Sequence, residues 1–267
     1  MSELGGVQGT PPTKVVVQGT PPIKFDVVSI FPAMVQASLA DGVVGRAIGR
    51  GIVDVAVHDL RDFTTDRHRV VDDMPFGGGP GMVMKPEPFF AAVEHIKATR
   101  GTPGTIVLTS PDGERFSHRH AERLSGLGHV VFLCGRYEGV DERVREFLAV
   151  EALSVGDYVL SGGELPALVM LDAVARLVPG VVGDEESVAR DSFMRGLLDY
   201  PQYTRPATFQ GHEVPAVLLS GHHAAIARWR RREALARTAA RRPDLLASVT
   251  LDEDDQALLD EIRKGEK

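Results

Sequence analysis

From Ile23 onward, short runs of β-branched and aromatic residues alternate with longer segments of helical character. Phe25-Asp26-Val27-Val28-Ser29-Ile30 predicts a strand ended by Pro32, and Pro32–Leu39 and Val43–Gly49 predict helices. Ile52–Val57 follows as a strand, and Pro86–Thr99 as a helix with proline in its first turn. Thr105–Thr109, His129–Cys134 and Val150–Ser154 are three further strands. Each runs into a turn-forming stretch: Ser110-Pro111-Asp112-Gly113, Gly135-Arg136-Tyr137-Glu138-Gly139 and Gly156-Asp157-Tyr158. The alternation predicts an α/β fold on a mostly parallel sheet, with ligand loops at the carboxyl ends of its strands. Those three loops are the first place to look for a site.

Between Val178 and Pro206 the regular pattern fails, and Gly180, Gly183, the acidic run Asp184-Glu185-Glu186, Pro201 and Pro206 suggest a long mobile connection. Beyond it, Gly221–Arg242 reads as an arginine-rich helix stopped by Pro243, and Leu251–Lys267 as a shorter helix. The expected division is therefore a sheet domain over 23–182, a connector or lid over 183–206 and a small helical domain over 207–267. The first 22 residues differ. Val7-Gln8-Gly9-Thr10-Pro11-Pro12 recurs as Val17-Gln18-Gly19-Thr20-Pro21-Pro22, which suggests a flexible extension outside the fold.

Composition narrows the classes. With 267 residues and 43% hydrophobic, the chain can bury a real core. Its single cysteine, Cys134, forms no internal disulfide and supplies too few thiolates for a zinc ribbon or an iron–sulfur cluster. No run approaches 18 apolar residues, and the N-terminus lacks the pattern of a signal peptide, so a soluble, cytoplasmic protein without membrane contact is expected. A formal net charge of −7 by itself argues against a polyanionic partner. Its distribution removes the objection. Residues 228–242 hold seven arginines and one glutamate, whereas 252–261 hold six acids and no base. Arginine forks suit bidentate phosphate contacts, so Arg228, Arg230, Arg231 and Arg232 are candidate nucleic-acid ligands. Trp229 within that cluster is either a stacking platform or the anchor that packs the helix.

Several motifs carry chemistry. Pro75-Phe76-Gly77-Gly78-Gly79-Pro80-Gly81-Met82 can bring backbone amides close to a phosphate, but it lacks the Gly-Lys-Ser/Thr of a P-loop and the third glycine of a dinucleotide fingerprint. Lys85 after it is a faint likeness to nucleotidyltransferase loops. In Ser161-Gly162-Gly163-Glu164-Leu165-Pro166, two glycines precede a helix expected to begin near Pro166, where unpaired amides are on offer. Cys134–Arg143 combines glycines with five charges after an apolar strand. Cys134 itself ends that strand, which favours an inert buried thiol over a nucleophile. The histidines show no metal spacing, and no Gly-x-Ser-x-Gly elbow occurs.

Taken together, these segments make the chain similar to the bacterial tRNA (guanine-N1)-methyltransferase family, the TrmD type. The matching stretches are Phe25–Pro32, Pro75–Met82, Cys134–Arg143 and Val155–Pro166, then Asp191-Ser192-Phe193, Tyr203-Thr204-Arg205-Pro206, Val214-Pro215 and Leu218-Leu219-Ser220-Gly221. The chain departs from the family pattern in its N-terminal extension and in Tyr200-Pro201-Gln202-Tyr203, where Cys-Pro-His-Tyr is expected. The resemblance implies a trefoil-knotted α/β domain of the SPOUT class followed by a small helical C-terminal domain. It implies S-adenosylmethionine as methyl donor, held by Ser110, Pro111, Gly135, Tyr137, Glu138, Val155, Gly156, Asp157, Tyr158, Val159, Leu160, Gly162, Gly163 and Pro166. It further implies tRNA as substrate, a homodimer with each site at the subunit interface, and a magnesium dependence for which no ligand cluster is legible here.

By the same resemblance, guanine N1 at position 37, 3′ of the anticodon, receives the methyl group, Asp191 is the general base and Arg176 the essential arginine. Other readings stay open on the residues alone. Another SPOUT-type RNA methyltransferase would fit the same motifs. A nucleotidyltransferase would rest on the glycine loop and Lys85, and a non-catalytic RNA-binding protein would need only the arginines.

Overall fold

The structure is a computed structural model that describes residues 21–183 and 191–265. All but the last two residues of the expected extension, and the acidic run of the connector, lie outside the described residues. The chain divides into two compact units at Gly183.

The first unit is built on a five-stranded parallel sheet in the order β2-β1-β6-β5-β7. Its strands are β1 (Ile23–Ser29), β2 (Val53–Asp59), β5 (Thr105–Arg115), β6 (His129–Cys134) and β7 (Glu151–Ser154). A two-residue pair, β3 (Asp72–Asp73) and β4 (Val83–Met84), stands apart from it. The helices are α1 (Pro32–Leu39), α2 (Gly42–Gly49), α3 (Pro86–Arg100), α4 (His118–Ser125), α5 (Glu142–Phe147) and α6 (Glu164–Ala175).

Central β6 is buried at every position. Its alternate residues feed two cores. Val130, Phe132 and Cys134 join Phe25, Val27 and Val107 against α1, α2, α4 and α6. Val131 and Leu133 join Val28, Ile106 and Leu108 against α3 and α5 on the other face. A strand covered on both faces reads as a continuous apolar run, which is why its limits follow from the sequence. The exception is Asp26, fully buried in β1. Its carboxylate meets His58 Nε2 at 2.5 Å, His129 Nε2 at 2.7 Å and Arg100 Nε at 2.9 Å. Burial alone would raise this carboxyl, but the three hydrogen bonds outweigh it and hold Asp26 below the usual range.

Three differences from expectation have local causes. β5 does not stop at Thr109; Leu153 of β7 pairs with both Thr109 and Glu114, so Ser110–Gly113 bulges out and the strand resumes. α6 starts at Glu164, two residues before Pro166, because a proline in the first turn gives up only an amide without a helical partner. α4 is not among the expected elements, because only Ala121 and Leu124, three residues apart, mark its buried face. It is short and strongly charged, and His120 Nδ1 accepts the Ser117 amide at 3.1 Å at its start.

The second unit contains the helices His223–Arg241 and Glu253–Gly265, the one-turn helices Ala216–Leu219 and Pro243–Leu246, and a small hairpin at Thr208–Phe209 and His212–Glu213. Its core is Leu197, Leu235, Leu258, Leu259 and Ile262. Leu197 comes from the stretch expected as connector. The next residue donates its amide to Thr238 Oγ1 at 3.0 Å, and that hydroxyl donates to the Ala234 carbonyl at 2.7 Å. Among the described residues no helix is long and apolar enough to cross a membrane.

Candidate functional site

At the bulge of β5 and the carboxyl ends of β6 and β7, the three turn-forming stretches line one cavity of about 470 Å3. The strands deliver them side by side because β6 and β7 flank β5. Ser110, Pro111, Gly135, Tyr137, Glu138, Val155, Tyr158, Val159, Leu160, Gly162, Gly163 and Pro166 all line it. Gly156 and Asp157 do not line it. Gly156 is buried in the turn below, where its amide donates to Ser154 Oγ at 3.2 Å and helps set the course of Tyr158–Leu160.

The loops touch through backbone at their closest point. The Gly163 amide donates to the Gly135 carbonyl at 2.8 Å, and Arg136 and Gly162 form an antiparallel bridge. A Cβ on Gly163 would fall 2.0 Å from Thr109 Oγ1 and 2.9 Å from both Cys134 Cα and the Gly135 nitrogen. Only glycine fits there.

Side chains that the sequence reading did not single out lock this crossing. Glu164, 1% exposed, accepts from Ser29 Oγ at 2.6 Å and from Arg136 Nε at 3.1 and 3.2 Å. The same guanidinium lies 4.2 Å over the Phe31 ring. A second lock holds the bulge: Arg145 donates to Ser110 Oγ at 2.9 Å and to Asp112 at 2.6 Å. Arg145, then Ser110, bind the Asp112 carboxylate and pull it down to about 2. Cys134 also stands at the crossing, but burial pushes its thiol well above the ordinary value, with the nearby Glu164 adding to it. It stays protonated and is no nucleophile.

The glycine-rich stretch packs alongside. Glu138 donates its amide to the Met82 carbonyl at 3.0 Å, and Met84 returns one to Gly139 at 2.9 Å. Its Phe76 is fully exposed, and Lys85 lies 3.7 Å from Asp73.

The family profile described as tRNA (Guanine-1)-methyltransferase TrmD matches residues 23–248. The chain belongs to this family. It is 53% identical over 242 residues to the tRNA (guanine-N(1)-)-methyltransferase of Geobacter metallireducens, covering 91% of this chain and 98% of that one. It is 51% identical over 241 residues to the protein of the same name from Dictyoglomus turgidum, covering 90% and 97%. The enzyme so named from Geobacillus kaustophilus is 49% identical over 242 residues, covering 90% and 98%.

The remaining residues marked out by the family pattern fall in different units. Arg176 caps the carboxyl end of α6 in the first unit and is exposed. Asp191 belongs to the second, where it lines a cavity of about 290 Å3 together with Arg195, Asp199, Tyr200 and Arg230. The four arginines read as one surface differ in their partners. Arg231 grips Asp255 through both carboxylate oxygens, with Nε at 2.7 Å, and that carboxylate is 4% exposed. The pairing raises the Arg231 pKa and lowers that of Asp255. Arg228 meets Glu261 at 3.0 Å and Arg232 meets Glu233 at 2.8 Å, both at the surface. Arg230 lies 4.9 Å over the Tyr200 ring. Among the described residues no three His, Cys, Asp or Glu side chains converge in a way that could hold a metal ion, so no residue is assigned to magnesium.

Proposed function

We propose that this chain transfers the methyl group of S-adenosylmethionine to N1 of guanine 37 in tRNA, the nucleotide 3′ of the anticodon. The observation that carries the reading is the single cavity built by the β5, β6 and β7 loops in a member of this family. Its volume and the close backbone at Gly163 suit a nucleoside-sized ligand. Ser110, Pro111, Gly135, Tyr137, Glu138, the 155–160 turn, Gly162, Gly163 and Pro166 would hold the donor. The crossing of the Gly135 and Gly163 loops is the part of the chain we assign to a SPOUT-type trefoil knot, a topology that general rules make rare.

When bound, S-adenosylmethionine supplies an electrophilic methyl on a sulfonium. Guanine N1 carries a hydrogen, so the N1–C bond can form only as that proton leaves. The carbon–sulfur bond breaks with its electron pair on sulfur, leaving the neutral thioether. Asp191 takes the N1 proton. Arg176 meets the charge that builds on guanine O6. An ion pair between the two during transfer would depress the Asp191 carboxyl and weaken the base, so their roles are separate.

Of the four arginines expected to meet phosphate, Arg228, Arg230 and Arg232 contact the tRNA while Arg231, expected with them, is engaged by Asp255, and the target base is flipped out to reach the donor. The working form is a homodimer. Phe31, Met34, Leu165 and Val169, exposed apolar side chains on and beside α1 and α6, supply contact surface for a second copy. A tRNA substrate puts the work in the cytoplasm.

The test is Asp191→Asn, with methyl transfer to a tRNA transcript and calorimetric S-adenosylmethionine binding measured in parallel. Loss of a general base predicts a fall of about 100-fold or more in transfer with donor binding intact. Normal turnover would remove Asp191 from the base role. A wild-type chain that binds no S-adenosylmethionine would return the question to a nucleotidyltransferase or a non-catalytic RNA-binding protein.

A further inference from the structure

Methyl transfer assigns no task to a cavity among the described residues. It lies within the second unit, holds about 380 Å3 and is walled by Tyr200, Tyr203, Arg205, Trp229 and Arg230 above Ile226. That volume falls within the range of small-ligand sites, about 300–1,000 Å3. The Tyr203 and Trp229 rings stand 6.3 Å apart, centroid to centroid, and are inclined at 53°. They form an open corner rather than a closed stack. Tyr203 is 50% exposed, and Trp229 is half-buried. An aromatic pair that only anchored its helix would be expected to bury both rings. Arg230 spreads over Tyr200, and its buried Nε has no hydrogen-bond partner among the described residues. The lining carries two arginines and no carboxylate, although the chain as a whole has more acids than bases.

We propose that this cavity is a subsite for one unpaired nucleotide of the RNA substrate, its base laid against Tyr203 and Trp229 and its phosphate drawn to Arg205 and Arg230. The inference rests on the tRNA-methylation reading. Aromatic faces accept any base and arginine adds both stacking and charge, so such a subsite holds single-stranded RNA without reading its sequence. The guanine that receives the methyl goes to the first unit's cavity. The nucleotide bound here is a different one, and its capture fixes the RNA on the second unit.

Trp229 is the only tryptophan in the chain, so its emission reports on this cavity alone. The full-length protein is titrated with an unmodified tRNA transcript, with oligouridylate, and with an abasic oligomer of equal length. Binding of the transcript is then measured for Tyr203→Leu and Tyr203→Phe across a salt series. The expected result is quenching by transcript and oligouridylate but not by the abasic oligomer. Tyr203→Leu should weaken transcript binding about tenfold, and Tyr203→Phe should restore it. The slope of affinity against salt and the affinity for S-adenosylmethionine should not move, because a stack and not an ion contact is lost. Equal quenching by the abasic oligomer would overturn the proposal by assigning the cavity to phosphate alone. Wild-type binding by Tyr203→Leu would overturn it as well. Should Tyr203→Leu fail to fold, the wild-type quenching pattern decides. Wild-type methyl transfer together with either overturning result removes the subsite only, whereas absent transfer removes the reading beneath it.

Discussion

Adding one methyl group at Gly163 tests whether the loop crossing is what makes the cavity proposed for the donor. The Cβ of Gly163→Ala would meet Thr109 Oγ1 at 2.0 Å, and Cys134 Cα and the Gly135 nitrogen at 2.9 Å. Thr109 can rotate away, but it then gives up its buried 3.2 Å bond to the Leu133 carbonyl. Such a bond contributes about 0.5–1.5 kcal/mol. The backbone of Cys134 and Gly135 cannot rotate, and overpacking of this kind costs about 1–3 kcal/mol. The sum is roughly 2–4 kcal/mol. With a urea dependence of about 1–3 kcal/mol per molar, the unfolding midpoint of the sheet unit, read by circular dichroism, should fall by about 1 M or more. Spreading Gly135 from Gly163 also opens the cavity, so calorimetry should find S-adenosylmethionine bound at least about tenfold more weakly, a change of ~1.4 kcal/mol. The double variant Thr109→Ala/Gly163→Ala also lacks the Leu133 bond and keeps the backbone clash, so its midpoint should stay close to that of Gly163→Ala. A Gly163→Ala protein with the wild-type midpoint and the wild-type donor affinity would refute this account of the crossing.

Asp112 titrates at about 2 against an ordinary 3.8. Its hold on Arg145 is therefore complete above about pH 4 and is lost only as pH falls towards 2. Donor affinity should thus be insensitive to this group between about pH 5 and 8, and Asp112→Asn should weaken it a few-fold evenly across that window, the scale of an exposed pair. A pH-dependent difference between the two proteins there would contradict the assignment. Arg231→Ala strands the 4%-exposed Asp255 carboxylate and should destabilise the helical unit by about 2–3 kcal/mol, seen in its melting. Arg228→Ala and Arg232→Ala remove surface charges, so each should leave melting unchanged and lower the salt slope of tRNA binding by up to about one.

How far the sequence speaks for itself varies with the kind of contact. β6 was legible to the residue, because a strand apolar on both faces announces its length. The first helices and the three ligand loops followed from proline and glycine punctuation. β5 misled, since Ser110-Pro111-Asp112-Gly113 has the composition of a terminus and only its pairing with β7 makes it a bulge. The Arg136–Glu164 contact is a tertiary fact. Its members stand 28 residues apart and meet because Gly163 lets two loops approach. Likewise the seven arginines of residues 228–242 look alike in sequence. Arg231 is singled out by Asp255, which a later helix places against it.

The wholly buried middle strand also bears on how the protein assembles. β1 finds its neighbour in β6 more than a hundred residues later, since Lys24 pairs with His129. β7, whose following turn lines the cavity proposed for the donor, joins at the edge of the sheet. Such non-local pairing is slow to form. A cavity lined by the loops of three neighbouring strands is complete only when all three are paired, so a ligand held there binds the folded sheet and not the unfolded chain. On the proposed assignment, S-adenosylmethionine at a hundred times its dissociation constant would weight the native state by about 2.7 kcal/mol. Metabolic supply of the methyl donor and survival of the folded enzyme would then be coupled quantities.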